Sequence, residues 1–158
     1  MSSTEPMSVN QWLTDAGWSP TRDIGSRAEE LIGIRIADAA RQGHSLSVID
    51  PAVEFIHSYG DLELSLPKTS PQRVLILKPT IGYDGDIEDF EELSENLGLK
   101  LFPVAFESIE GGIWLIDESS RMFYLHHTGG YFLGAHPHDA FVAAFEGRFL
   151  ADAEDYFA

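Results

Sequence analysis

Leu101-Phe102-Pro103-Val104-Ala105-Phe106, Ile113-Trp114-Leu115-Ile116 and Met122-Phe123-Tyr124-Leu125-His126 are three short apolar runs, separated by Glu110-Gly111-Gly112 and by Asp117 to Arg121. Runs this short, rich in aromatic and branched side chains and divided by turn residues, read as antiparallel strands. Pro103 has no N–H for a ladder hydrogen bond, so the first strand is expected to lie at an edge or to bulge there. Upstream, Leu62, Leu64 and Leu66 alternate with Glu63 and Ser65. That period of two fits a strand with one wet face. Arg73 and Lys78 bracket a further short apolar strand. Downstream, Gly129-Gly130 reads as a turn, and Pro137 opens a last helix to about Phe145, followed by Gly147.

Helical signals cluster before the strands. Ser8 caps a short helix through Ala16, with Trp12 and Leu13 facing inward and Gly17 as its stop. Ser26 caps a second helix from about Arg27 to Gln42. Asp50-Pro51 places a cap and a first-turn proline before a third, which runs to Tyr59. Asp86 is positioned to cap a fourth, Ile87 to Leu97, ended by Gly98. Helices first and strands after predict a single α+β domain over residues 8–150, with a mostly antiparallel central sheet and flanking helices. Residues 1–7 read as a frayed tail. Residues 151–158 read as an acidic tail that Tyr156 and Phe157 equip to dock.

Charge narrows the function. The 158 residues carry 26 acids against 10 bases, a net charge of −16. Residues 1–78 hold ten acids and seven bases; residues 79–158 hold sixteen acids and three bases, Lys100, Arg121 and Arg148. Such a surface repels phosphate backbones and anionic lipid, which argues against direct nucleic-acid or membrane binding. The absence of cysteine removes disulfides, thiolate metal sites and a cysteine nucleophile. The first six residues lack a basic patch and an apolar run, so no leader is expected, and the cytoplasm is the expected address.

Much of the acid falls in one stretch: Asp84, Asp86, Glu88, Asp89, Glu91, Glu92 and Glu95, with no base among them. At 100° per residue, Ile87, Phe90, Leu93 and Leu97 share one side of a helix, and Glu88, Glu91, Glu92 and Glu95 share the other. Two readings follow, a solvated face or a docking surface for a basic partner. Those seven carboxylates are the candidate partner-binding residues. They do not suit general acid–base catalysis, which requires carboxyl groups in different environments.

His126-His127 and His136-Pro137-His138 invite a metal reading. Neighbours on a strand point to opposite faces, so His126 and His127 are not expected to share an ion. His138 and Asp139 sit at a helix start and read as capping or surface residues. His44 and His57 stand alone. The chain lacks a P-loop, a nucleophile elbow and an HExxH motif. No catalytic residue, metal or cofactor is expected.

Other landmarks recur in a set order. Leu13-Thr14-Asp15-Ala16-Gly17-Trp18-Ser19-Pro20-Thr21-Arg22 comes first, then Phe55-Ile56-His57-Ser58-Tyr59-Gly60-Asp61-Leu62. Leu97-Gly98-Leu99-Lys100-Leu101-Phe102-Pro103-Val104, Trp114-Leu115-Ile116-Asp117-Glu118 and Arg121-Met122-Phe123-Tyr124 follow, then Gly134 and Phe145-Glu146-Gly147. This order resembles the SUKH superfamily of bacterial immunity proteins, most closely its third subfamily, over about Gln11 to Gly147. Where family turns carry glycine, this chain has Ser120 and, after Gly60, Asp61. The resemblance implies a non-enzymatic protein that binds and neutralises the toxin domain of a polymorphic toxin system. It also implies a nuclease-type toxin, basic where it holds phosphate. The competing reading is a regulatory scaffold that binds a host protein, as some superfamily relatives do.

Overall fold

In the computed structural model, which describes residues 8–158, a seven-stranded sheet runs in strict sequence order, each strand antiparallel to its neighbours. The frayed tail expected at 1–7 lies outside the described residues. Helices α1 (Val9–Asp15), α2 (Ser26–Arg41) and α3 (Asp50–Tyr59) precede the sheet. Strands β1 (Glu63–Ser65) and β2 (Val74–Ile76) lead to helix α4 (Asp86–Leu97). Strands β3 (Leu101–Glu107), β4 (Ile113–Asp117), β5 (Met122–His126) and β6 (Gly129–Gly134) form a meander. Helix α5 (Pro137–Glu146) then returns the chain to β7 (Ala151–Asp152) and a 3-10 turn (Ala153–Tyr156). The fold is α+β.

Alternation along the central strands builds two cores, one on each face of the sheet. Phe102, Val104, Trp114 and Ile116 pack with Trp12, Leu13, Phe55, Ile56 and Phe141. Leu101, Ile113, Leu115 and Phe123 pack under Ile87, Phe90, Leu93 and Leu97 of α4. Thus α1, α3 and α5 cover one face and α4 the other. Helix α2 reaches both, with Leu31 in the first core and Ala39 in the second.

Pro103 lies in an interior strand, between β2 and β4, and the register shifts between Pro103 and Ala105. Because β2 pairs only with Phe106 and Glu107, Pro103 has no β2 partner, and its missing N–H falls beside a bulge. The bulge also lets Val104 and Ala105 both join the first core before alternation resumes.

Two readings of the sequence are corrected, a turn and the helix caps. Gly129-Gly130 is not the turn. His127 and Thr128 turn, and the two glycines open β6, paired with His126 and Leu125. Three glycines in six residues hid that strand. Gly134 is needed there: a Cβ would stand 2.6 Å from Asp139 Cβ and 2.9 Å from the Ala140 backbone nitrogen at the start of α5. Asp86 is not the cap of α4, nor are Ser26 and Asp50 the caps of α2 and α3: Gly85, Gly25 and Ile49 hold those positions, and each expected cap is the first helical residue. Beyond residue 150 the acidic stretch docks, as its aromatic residues suggested: β7 pairs with β6 and Tyr156 stacks on Phe132 with ring centroids 3.9 Å apart.

The turn residues that replace glycine are informative. Ser120 has φ +68° and Asp61 has φ +68°. Both sit in the left-handed region, where glycine carries no Cβ penalty. At the first, the fully buried Asp117 accepts from the Ser119 and Arg121 backbone N–H groups and from Arg121 Nε at 2.7 Å. At the second, Asp61 accepts from Arg27 Nε at 2.7 Å. Side-chain hydrogen bonding offsets the backbone cost at both turns.

Candidate functional site

Helix α4 buries Ile87, Phe90, Leu93 and Leu97 and turns its acids to solvent, as its periodicity dictates. Asp84, Glu88, Asp89, Glu91, Glu92 and Glu95 are all exposed. Asp86 departs from the group: it is completely buried and therefore cannot meet a partner. Its Oδ2 accepts from Arg35 Nη2 and from the Tyr83 backbone N–H at 3.2 Å, and its Oδ1 from Gln42 Nε2 at 3.1 Å. Burial of a carboxylate requires such partners. The Arg35 guanidinium also lies over the Phe90 ring at 5.4 Å. Asp86 therefore fastens α4 to α2 and sets how the outer acids are presented.

Among the described residues, none of the exposed carboxylates of this group is paired with lysine or arginine. His44, which the sequence left without a role, stands against them from the end of α2, its Nδ1 3.0 Å from Glu91 and its Nε2 3.6 Å from Glu88. Asp89 accepts from the Tyr83 hydroxyl at 2.6 Å. Burial, then that hydrogen bond, raises the Tyr83 phenol above its ordinary range, so it stays a donor.

The acidic face continues across a groove. Tyr83, Asp89, Glu92 and Asn96 form one wall, and His126, His127 and Gly129 of the β5–β6 turn form the other. The β3–β4 turn adjoins this second wall and brings Glu110 to His126, Oε2 to Nε2 at 3.0 Å. That hydrogen bond holds the Glu110 carboxyl below the usual glutamate range. His127 lies in the turn rather than on the strand, so strand alternation does not separate it from His126. The two ring centroids are 3.9 Å apart. The expectation that the two histidines diverge is thus overturned, and Glu110, His126 and His127 converge. His136 and Asp139 make only a local contact at the start of α5, 3.3 Å apart.

A second hollow, on the other face of the sheet, is lined by Arg73, Glu107, Trp114 and Tyr124. Burial pushes the Glu107 carboxyl up, while Arg73 Nη1 donates to it and the Tyr124 hydroxyl lies 3.3 Å away. These contacts tie β2, β3 and β5 together.

An acidic convex helix on a stable sheet suits binding through a surface. The SUKH-3 immunity protein family model matches residues 5–147, most of the chain. The chain belongs to the SUKH-3 immunity protein family. Membership implies toxin immunity through binding a cognate toxin, a generally non-enzymatic role. No curated protein and no solved structure matches the chain. Among the described residues, no helix is long and apolar enough to cross a membrane.

Proposed function

We propose that this SUKH-3 protein neutralises its toxin by docking the outer face of α4 against a basic surface of the toxin's enzymatic domain. The observation that carries the reading is the row Glu88, Asp89, Glu91, Glu92 and Glu95. These carboxylates are exposed on one rigid helix and, among the described residues, paired with no lysine or arginine. Asp84 extends the row into the preceding loop. A nuclease-type toxin of a polymorphic system is basic where it holds phosphate, so a carboxylate row competes for the same groups. Charge complementarity also steers encounter, raising association rates from about 10⁵–10⁶ to as much as about 10⁸–10⁹ M⁻¹s⁻¹ at low salt. The inhibitor meets the toxin in the cytoplasm and holds it by surface contact, without chemistry.

Affinity capture from the native host tests this, with the wild type and the Glu88→Gln/Glu91→Gln/Glu92→Gln/Glu95→Gln variant as baits at low and high salt. The expected result is a basic toxin domain, retained by the wild type at low salt and depleted both by salt and by the variant. Equal capture of that domain by both baits would move the interface off α4. Capture of a constitutive host complex in place of a toxin would establish the scaffold reading instead.

A further inference from the structure

We propose that Glu110, His126 and His127 form a surface binding site for Zn2+. The three side chains come from two neighbouring turns at one end of the sheet, and one ligand atom from each lies within 4.8 Å of the others. Tetrahedral zinc, with bonds of about 2.0–2.2 Å to imidazole nitrogen and carboxylate oxygen, sets its ligands about 3.4 Å apart. His126 Nε2 and Glu110 Oε2 already stand 3.0 Å apart, so only the exposed His127 ring has to swing inward.

The ring of His126 is the fixed element. It stacks on Tyr124 at 5.7 Å with an interplanar angle of 18°. Its Nδ1 accepts from the Thr128 backbone N–H at 3.3 Å and lies 2.8 Å from Thr128 Oγ1, which in turn lies 2.7 Å from the Tyr131 hydroxyl. These contacts fix the ring plane, and Zn2+ would take the place of the proton that Nε2 shares with Glu110. They leave Nε2 to face the ion beside Glu110.

The donor set selects the ion. Two imidazoles and one carboxylate suit zinc and its late transition-metal neighbours, whereas Mg2+ and Ca2+ require mainly oxygen. Three protein ligands leave a fourth position for water. The site opens beside Asp89 and Glu92 across the groove, in the strongly acidic part of the molecule, and that field concentrates cations.

The test is calorimetric titration of the metal-free full chain with Zn2+, alongside Mg2+, with the histidine ring resonances followed by NMR. The wild type is expected to bind one Zn2+ at micromolar concentration and no Mg2+, with shifts at His126 and His127. His127→Asn and Glu110→Gln, both at exposed positions, should each weaken Zn2+ by at least about tenfold. His136→Asn/His138→Asn should leave the affinity unchanged. Equal Zn2+ affinity in the wild type and His127→Asn, or shifts confined to His136 and His138, would overturn the proposal.

Discussion

Arg35 and Asp86 are 1% and 0% exposed, and they pair with each other. Arg35 Nη1 also donates to Asp38 at 2.9 Å. Removing one partner of a buried pair leaves an uncompensated charge, which typically costs about 3–5 kcal/mol, whereas replacing both with apolar groups costs far less. Urea denaturation of Arg35→Met, Asp86→Leu and the double variant is therefore expected to show large single losses and a double loss well below their sum. Additive losses would contradict the pairing. The sequence concealed this pair because its members are 51 positions apart, and an aspartate before an apolar-periodic run reads as a cap. The position of Arg35 between Leu31 and Ala39, four residues either way on the buried side of α2, was the one available hint.

His57, another residue without a sequence signal, lies between Asp23, 2.6 Å from Nδ1, and Glu29, 3.2 Å from Nε2. The hydrogen bond to Asp23, opposed by some burial and helped by Glu29, raises the histidine above its ordinary value. A raised histidine stabilises the fold fully below the unfolded value of about 6.5 and loses that contribution as pH rises through the folded one. The stability gap between wild type and His57→Gln should thus be widest below about pH 6.5 and close on the alkaline side. A gap that widened with rising pH would refute the assignment.

At the scale of elements, α4 is the clearest case of legible structure. Its apolar stripe and acidic face follow from spacing alone; the buried apolar residues match the expected ones, and Asp86 joins them. Strand β6 was illegible because glycine erases both alternation and propensity; the positive φ of Gly129, +139°, and the close approach of Gly134 to α5 account for two of its three glycines. The Glu110–His126–His127 cluster was hidden because strand alternation was applied to His127, which lies in the turn just beyond β5. Like charges at i,i+3 and i,i+4, such as Glu88–Glu91, Glu88–Glu92 and Glu91–Glu95, each cost a few tenths of a kcal/mol. The Glu88→Gln/Glu91→Gln/Glu92→Gln/Glu95→Gln variant should accordingly unfold at an equal or higher urea concentration than the wild type. A clear loss of stability would mean that these acids serve the fold rather than a partner.

Across the whole molecule, the sheet separates two tasks. One face carries the larger core and the helices that enclose it. The other carries α4, held by a smaller core and the Arg35–Asp86 anchor. The acidic row of α4 thereby stands on one face of the sheet, while Asp139 and Glu146 lie on α5 across it. Helices, central strands and the family were legible because they rest on local periodicity and ordered landmarks. What brings distant residues together, the anchor and the edge strand β7, rests on tertiary packing that no single segment encodes. The account's central claim is that the acidic face steers a basic toxin domain. The most direct measurement is the association rate constant with the captured domain, for wild type and the four-glutamine variant, as the Debye length falls from about 30 Å to about 3 Å with rising salt. The wild-type rate should start at least about tenfold above the variant's at low salt and converge with it at high salt. Equal rates with equal salt dependence would contradict the claim.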